Sequence, residues 1–465
     1  MIRNQRSENL ARLAQENWDI LIIGGGINGA GVARDLAMRA AHIPGGLRIA
    51  LVEKRYFSSG TSGRNSQLIH GGLRYLKYGD FGLVHEALRE RATLLHIAPG
   101  LVKPLEFLIP CYGRYDRLFY GTGLTLYDAL AGSHGIASHH TIGSEAASRL
   151  EPNMASEGLR GGVLFHDAAV HSARLVLENI LDAEARGVCP ANYVEIHQSP
   201  HGLHARDLLT GSEFGIRTRT IIDASGSWSQ AAPLRLVRGS HLIYPRIQKS
   251  SQAIAHFDEA GRIIFLIPWG ENDDLTLVGT TDVDHQTGAD QVAISASETD
   301  YLKSIVRRLY PSFREEPITS YSSLRPLIVQ SGRSATSTSR EHKIWKSSDN
   351  VLHIAGGKYT TYRSMSEEAA DTLMTDLAPG RNIPGETATT PLNLPEIPPT
   401  QEARVRMAVE REHARSLPDV IYTSTYWGHE RRLDRQWLHP IALQMADLLG
   451  WDQAKITVEL QNLGV

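Results

Sequence analysis

The feature that most constrains the fold is a glycine-rich turn close to the amino terminus. An apolar run, residues 19–23, precedes the turn, and residues 30–37 follow it with small and apolar side chains at helical spacing. The turn itself places glycine at Gly24, Gly26 and Gly29. Strand, tight turn and helix with this spacing form a dinucleotide-binding fingerprint, in which the glycines permit the turn, the approach of a pyrophosphate and close helix packing. Since glycine-rich turns are common, the motif needs support from the rest of the chain.

A second strand supplies that support. Residues 48–52 are mostly apolar and end at Glu53, whose carboxylate would accept hydrogen bonds from the hydroxyls of an adenosine ribose. The insertion of residues 42–46 places Glu53 beyond the usual spacing of about 20 residues, which predicts a longer loop between helix and strand. Lys54 is the alternative contact.

Composition excludes several classes of protein. The length of 465 residues predicts more than one domain, and a formal charge of −3 gives no field that would attract nucleic acid. The chain contains no run of about 18 apolar residues, so no membrane-spanning helix is expected. Cys111 and Cys189 form no disulfide framework and indicate a reducing, cytoplasmic compartment. His134, His139 and His140 lack metal-ligand spacing, so no metal is expected.

Further segments fit a nucleotide-binding sheet. Residues 192–196 are a short strand candidate, expected near the adenine, and residues 220–226 form a buried strand that ends in small residues. Residues 350–355 form another strand, followed by Gly356 and Gly357 and then a helix. That order suggests a phosphate or flavin ring near a helix start.

The middle of the chain has a different pattern. Residues 251–257, 262–268 and 275–279 alternate or are wholly apolar and are separated by turn residues, which predicts an antiparallel sheet. Such a sheet is expected to form the floor of a substrate cavity at a domain interface. The proline-rich residues 378–400 are predicted to be a linker, and residues 402–463 to be helical.

Several motifs resemble, in order, those of the FAD-dependent glycerol-3-phosphate dehydrogenases, members of the D-amino-acid-oxidase-like flavoprotein superfamily. Leu-Ile-His-Gly-Gly-Leu-Arg-Tyr-Leu at residues 68–76 is similar to the family signature almost residue for residue. The other matching segments are residues 23–31, 238–241, 267–269, 279–282, 324–327 and 356–363. The resemblance extends from about residue 18 to residue 365.

The resemblance implies an α/β fold with a discontinuous Rossmann-like FAD-binding domain, an inserted antiparallel-sheet substrate domain and a short carboxy-terminal helical domain. We place the FAD-binding domain at residues 17–82, 150–238 and 335–377, the substrate domain at 83–149 and 239–334, the linker at 378–400 and the helical domain at 401–465.

The activity implied by the resemblance is oxidation of sn-glycerol 3-phosphate to dihydroxyacetone phosphate, with hydride passing from C2 to flavin N5 and electrons passing to a quinone or another acceptor. Guanidinium groups bind a phosphomonoester through two-pronged, charge-assisted hydrogen bonds. The residues that match family positions around the substrate are Arg74, Arg325, Arg340, Tyr75 and Lys358.

The proton chemistry has two candidates. His70 or His241 could accept the C2 hydroxyl proton, because imidazole suits that role at neutral pH. Lys358 could hold the substrate oxygens or stabilise negative charge on the reduced flavin.

The resemblance also identifies a cofactor-binding set. The residues expected to contact FAD are Gly24, Gly26, Ile27, Asn28, Gly29, Glu53, Lys54, Thr61, Ser62, Gln67, Leu68, His70, Gly71, Val194, Ala224, Gly226, Trp228, Gly357, Lys358, Tyr359 and Thr360.

The chain departs from the family pattern at three places. Gln67 stands where the family commonly has lysine, and residues 63–65 replace a serine-rich turn near the flavin. Residues 422–426 replace an arginine-arginine-threonine segment in a tail that is shorter than the family's.

These departures keep two alternatives open: a flavoenzyme for another phosphorylated or anionic polyol, and a non-catalytic flavin- or phosphometabolite-binding protein. The family adds two hypotheses about partners, a peripheral contact with the inner face of the cell membrane and a homodimer.

Overall fold

Two β-sheets organise the chain. The computed structural model describes residues 5–199, 202–231, 233–329 and 342–465. The strands are β1 (Asn17–Ile23), β2 (Ile49–Glu53), β3 (Leu68–Ile69), β4 (Val102–Cys111), β5 (His140–Gly143), β6 (Gly161–Val170), β7 (Cys189–Asn192), β8 (Val194–Ser199), β9 (Gly202–Asp207), β10 (Glu213–Asp223), β11 (Leu234–Pro245), β12 (Ala253–Phe257), β13 (Ile263–Trp269), β14 (Leu275–Gly279), β15 (Val283–Asp284), β16 (Thr319–Ile328), β17 (His342–Lys346) and β18 (Val351–Gly356). The helices are α1 (Gln5–Gln15), α2 (Ile27–Ala40), α3 (Phe81–Ile97), α4 (Asp116–Ala131), α5 (Ser144–Leu150), α6 (Ser172–Ala185), α7 (Ala296–Leu309), α8 (Tyr362–Leu377), α9 (Gln401–Arg411), α10 (Trp427–Glu430), α11 (Arg435–Leu449) and α12 (Gln453–Gln461).

The first sheet is the nucleotide-binding sheet that the fingerprint predicts. Strands β18, β10, β1, β2 and β7 lie side by side and parallel, with β17 antiparallel at the edge. Ile20 and Ile22 of β1 pack against helices α2, α6 and α8, while Leu21 packs on the other face with α1, β8 and β9. A parallel sheet covered on both faces requires such continuous apolar strands. The carboxyl ends of β1, β2 and β10 therefore meet at one edge.

The second sheet is largely antiparallel and confirms the predicted hairpins. Within the described residues its order is β15-β11-β14-β13-β12-β4-β6-β3, with β16 paired to β11 and β5 to β6. Neighbouring residues such as Leu266 and Ile267 pack into different apolar clusters, because successive side chains of a strand point to opposite faces. Helices α3 and α4 cover one face and α7 covers the other.

Two features of this architecture differ from the sequence patterns. Strands β3 and β6 lie in the second sheet, so segments 17–82 and 150–238, predicted as parts of the FAD-binding domain, contribute to both sheets. The single strand predicted at residues 192–196 is instead the junction of β7 and β8. Tyr193 has φ 57° at that junction, and a left-handed residue cannot continue an extended strand.

The carboxy-terminal part is a small helical unit with its own core. We call residues 401–465 the C-terminal unit; helices α9 to α12 and a π-helical turn, Asp419–Ser424, bury its apolar side chains. Residues 378–400 contain no helix or strand, yet Leu392 packs into the core of the first sheet. In the described segments, no helix combines the length and the apolar character that crossing a membrane demands.

Helix α7 is fixed to the second sheet by one buried carboxylate. Glu298 accepts hydrogen bonds from Arg238 (2.6 and 2.9 Å), from the Ser240 hydroxyl (2.8 Å) and from the Thr281 hydroxyl (2.7 Å). It also completes a capping box with Ser295. Burial opposes ionisation of Glu298, but these hydrogen bonds outweigh it and lower its pKa from 4.5 to about 2.

We expect Glu298→Gln to lower the free energy of unfolding at pH 7 by about 2–3 kcal/mol, since it removes charge-assisted hydrogen bonds from a buried network. The contribution of a carboxylate with a depressed pKa is complete above its unfolded value and is lost as pH falls toward its folded value. The urea midpoints of wild type and variant should therefore converge as pH falls from about 5 to about 2. Glu145→Gln, at an exposed α5 ion pair with Arg149, is the control and should leave the midpoint unchanged. A difference in urea midpoint between wild type and Glu298→Gln that stays constant with pH would contradict this account.

Candidate active site

A cavity of about 470 Å³ lies at the carboxyl edge of the first sheet. Most of the residues predicted to bind the cofactor line it, and they come from five segments of the sequence. They are Gly24, Gly26, Ile27, Asn28, Glu53, Lys54, Thr61, Ser62, Val194, Ala224, Gly226, Trp228, Gly357, Lys358 and Tyr359. The parallel strands bring these segments together because their carboxyl ends share one edge.

The fingerprint glycines leave no room for side chains. Gly24 has φ 115°, and a Cβ there would lie 2.5 Å from the Ala224 carbonyl oxygen. A Cβ on Gly29 would lie 1.9 Å from the Gly24 carbonyl oxygen, so helix α2 can start this close to β1 only with glycine. Gly26 is the N-cap of α2 and brings no side chain to the helix start, and Gly26, Ile27 and Asn28 line the cavity. These residues fit the diphosphate of a dinucleotide.

Glu53 is held in place by two backbone donors. Its carboxylate accepts hydrogen bonds from Gly25 N (2.7 Å) and Arg55 N (2.8 Å) while the residue lines the cavity. Burial raises the pKa of Glu53, and the two backbone hydrogen bonds oppose that shift. Lys54, the alternative ribose contact, forms an ion pair with Glu195 at 2.7 Å.

A second cavity of about 190 Å³ adjoins the first and lies between the two sheets. His70, Arg74, Tyr75, His241, Arg325 and Lys358 all line it. So do Leu68 and Thr360 from the predicted cofactor set. Thr61, Gly357, Lys358 and Tyr359 line both cavities, so a ligand in the second cavity would lie next to one in the first.

Two arginines in the second cavity share one carboxylate. Arg74 lies 3.0 Å from Asp282 Oδ2, and Arg325 lies 2.7 Å from Asp282 Oδ1. Arg325 also donates to the Thr281 carbonyl (3.0 Å) and the Thr280 hydroxyl (2.8 Å). Asp282 therefore fixes two guanidinium groups that come from sequence positions about 250 residues apart.

The cavity keeps a positive character despite this carboxylate. Lys358 Nζ lies 4.1 Å from the centre of the Tyr75 ring, a cation–π contact that places the ammonium group beside Arg74. The other carboxylate in the lining, Asp167, is paired with Arg91 at 2.6 Å. Three cationic side chains thus face one shared carboxylate, an arrangement suited to an anionic ligand.

The two histidine candidates have different environments. His241 is 1% exposed, its Nε2 lies 2.9 Å from the Ser66 hydroxyl, and its ring stacks on Tyr321. Burial, followed by the charge of Arg325, lowers its pKa to about 3. His70 is half-buried, and its backbone N–H and carbonyl both bond to the Thr360 hydroxyl.

Three predicted site residues are placed elsewhere, and a fourth is not described. Gly29 supports the turn from behind. Gly71 donates its N–H to the Tyr127 hydroxyl (2.9 Å), and Gln67 is 2% exposed and hydrogen-bonded away from both cavities. Arg340 lies outside the residues that the structure describes.

Sequence reasoning missed Asp282, Asn65 and Ser66, all of which line the second cavity. Asp282 lies within the matching segment 279–282, which was the available clue, but a lone aspartate there does not reveal its pairing with two distant arginines. Asn65 and Ser66 adjoin the signature without any charge to mark them.

Comparisons with known proteins agree with this geometry. A family model for FAD-dependent oxidoreductases matches residues 19–363. A Synechocystis protein named glycerol-3-phosphate dehydrogenase is 35% identical over 403 residues, covering 78% of this chain and 71% of that protein. The aerobic glycerol-3-phosphate dehydrogenase of Staphylococcus haemolyticus is 33% identical over 385 residues, covering 78% of this chain and 68% of that one.

The fold also matches a solved structure. The crystal structure of glycerol-3-phosphate dehydrogenase from Bacillus halodurans, complexed with FAD, superposes with a TM-score of 0.76 at 23% identity, covering 99% of this chain and 96% of that one. The family model covers most of the chain, and the fingerprint cavity fits the cofactor that names the family. The chain belongs to the FAD-dependent oxidoreductases.

Proposed function

We propose that the protein oxidises sn-glycerol 3-phosphate to dihydroxyacetone phosphate. As a member of its family it uses FAD, and its two relatives described above carry the name of this activity. The observation that carries the proposal is the meeting of Arg74, Arg325 and Lys358 in a cavity that adjoins the dinucleotide cavity. This combination suits a small phosphorylated substrate placed beside a flavin.

In our proposal the two arginines bind the phosphate. Bidentate guanidinium contacts match the geometry of phosphate oxygens, and Asp282 holds both groups in position before substrate arrives. Lys358 orients the hydroxyl oxygens near C2. FAD, when bound, supplies the two-electron acceptor that takes hydride from C2.

His70 is our preferred acceptor for the proton on the C2 hydroxyl oxygen. A general base works best when its pKa lies near the working pH. His241, with its pKa lowered to about 3, stays neutral at pH 7 and is too weak a base for this role. His241 lines the second cavity, and we assign it to contact with the substrate.

The direct test is anaerobic. The oxidised flavin absorbance band of the purified protein should bleach promptly on mixing with sn-glycerol 3-phosphate, and a quinone or another acceptor added afterwards should restore it. Bleaching by a different phosphorylated polyol, and not by glycerol 3-phosphate, would identify that polyol as the substrate. No bleaching with any of them would support the non-catalytic alternative.

We expect Arg325→Met to lower kcat/KM for glycerol 3-phosphate by about 10- to 100-fold, because charge-assisted hydrogen bonds contribute about 1.5–3 kcal/mol. The loss should appear mainly in KM, and FAD content should not change, since Arg325 lines only the substrate cavity. Arg235→Met is the control, because Arg235 forms its ion pair with Asp284 at 2.6 Å outside both cavities. Equal losses in the two variants would contradict the phosphate assignment.

We also propose that helix α4 contacts an anionic membrane surface. Tyr115, Leu118, Phe119 and Leu126 fall on one face of this helix and its N-cap, and they are 68%, 71%, 70% and 40% exposed. Apolar residues at this spacing form a single stripe. An exposed Arg117 and the neighbouring Arg114 complement acidic head groups, and helices of this kind lie in the membrane interface.

The size of the stripe favours a membrane over a second copy of the chain. Aromatic side chains bury about 150–250 Å² when fully covered. Since these four side chains are only 40–71% exposed, together they offer roughly 500 Å². A stable interface needs about 800 Å² from each partner. A homodimer through α4 alone would fall short of that area.

Replacing Leu118 and Phe119 together by glutamate should weaken co-sedimentation with vesicles of phosphatidylglycerol and phosphatidylcholine at least about tenfold, because burial of each apolar side chain contributes about 1.5–3 kcal/mol. Leu443→Glu/Val458→Glu, at exposed apolar positions of the C-terminal unit, is the matched control and should bind like wild type. Equal binding by both double variants would eliminate this surface. If wild type did not bind vesicles, and the Leu118/Phe119 double variant had a lower mass in solution than wild type, the stripe would be a homodimer interface instead.

A further inference from the structure

Residues in an unusual backbone conformation cluster where the C-terminal unit meets the cofactor cavity. Six non-glycine residues of the described chain have positive φ. Three of them, Ser58 (65°), Gln67 (56°) and Tyr193 (57°), lie beside residues that line the cavities. L-residues persist in this region only when surrounding structure holds them there.

Tyr426 holds Gln67 in place. Its buried hydroxyl donates to Gln67 Oε1 (2.7 Å) and accepts from Ala173 N (2.8 Å), and its ring stacks on His171 at 3.7 Å. Gln67 Oε1 accepts a second hydrogen bond from Ser172 N (3.0 Å). The Gln67 side chain is therefore fixed from two sides, and the next residue, Leu68, lines the substrate cavity.

The same network reaches a residue common to both cavities. The Ser172 hydroxyl lies 2.9 Å from the Tyr426 hydroxyl, and the Ser172 carbonyl accepts a hydrogen bond from Tyr359 (2.6 Å). Tyr359 lines both cavities. Displacement of Tyr426 would thus disturb two walls at once.

Thr423 holds Ser58, another of the left-handed residues, in place. Its hydroxyl donates to the Phe57 carbonyl oxygen (2.8 Å), which fixes the peptide plane that precedes Ser58. The N–H of Ser58 in turn donates to the Gly25 carbonyl oxygen (3.0 Å), inside the fingerprint turn. The buried Thr423 hydroxyl is therefore linked, through Phe57 and Ser58, to the glycine-rich fingerprint turn.

Asp419 holds Tyr193, the last of the three left-handed residues, in place. Its carboxylate accepts hydrogen bonds from the Tyr193 hydroxyl (2.8 Å) and from Asn192 Nδ2 (3.1 Å). Val194, the next residue after Tyr193, lines the cofactor cavity. The junction of β7 and β8 therefore takes its shape from a residue more than two hundred positions later in the chain.

We propose that the C-terminal unit is a clamp for FAD, in which Asp419, Thr423 and Tyr426 each hold one left-handed residue that adjoins the lining of the cofactor cavity or of the neighbouring substrate cavity. Two departures from the family pattern, Gln67 and the segment 422–426, are bonded directly to each other in this clamp. The inference rests on the FAD family and not on the identity of the substrate.

The test measures FAD release from the holoprotein after dilution, followed by the rise of flavin fluorescence, beside the melting temperature. Thr423→Val and Tyr426→Phe should each release FAD about tenfold faster than wild type. Tyr422→Phe is the matched control, since the Tyr422 hydroxyl makes no hydrogen bond with the described residues, while its ring, which phenylalanine keeps, stacks on Tyr56 and packs on the core of the C-terminal unit. It should release FAD at the wild-type rate.

A second variant separates a clamp from simple packing. Ser58→Gly added to Thr423→Val should bring FAD release most of the way back to the wild-type rate, because glycine adopts positive φ without strain. The proposal is overturned if Thr423→Val and Tyr426→Phe lower the melting temperature while FAD release is unchanged. It is also overturned if Ser58→Gly fails to rescue release.

Discussion

The close approach of helix α2 to strand β1 is the constraint on which the rest of the site depends. The helix begins so near the strand that a Cβ on Gly29 would overlap the carbonyl oxygen of Gly24. This contact points the helix start, with its positive dipole end, into the cavity. It also fixes the edge at which β2 and β10 end, so Glu53 and Ala224 face the same space. A larger residue at either glycine would move the helix and open that edge.

The second cavity depends on a balance of charge within a small volume. Two guanidinium groups placed close together repel each other, and Asp282 between them lowers that cost before any anion arrives. If these arginines bind a substrate phosphate as we propose, the phosphate has to compete with a carboxylate already bonded to both groups. The site is therefore organised in advance, at the expense of some affinity, and this suits an enzyme that must release a phosphorylated product.

The sequence predicted those parts of the fold that local patterns determine. The fingerprint strand, turn and helix, the three hairpin strands β12 to β14 and the return strand β18 all follow from apolar runs bounded by glycine and other turn residues. The cavity set was predicted largely through motifs, and most of its members line one of the two cavities. The pairing of Asp282 with Arg74 and Arg325, and the bond between Tyr426 and Gln67, were not predicted. Asp282 lies 43 positions from Arg325 and 208 from Arg74, and Tyr426 lies 359 positions from Gln67. No local periodicity encodes contacts over such separations. The break at Tyr193 escaped prediction for the same reason, because its partner is Asp419.

The position of the clamp residues along the chain bears on the order of events during synthesis. A ribosome makes the fingerprint turn about 390 residues before it makes residues 419–426. Until residues 419–426 emerge, Ser58, Gln67 and Tyr193 lack the partners that hold their backbone. The nucleotide-binding sheet can therefore begin to form during translation, whereas stable loading of the cofactor waits until residues 419–426 have been made. A truncated nascent product would thus fold in part and remain colourless.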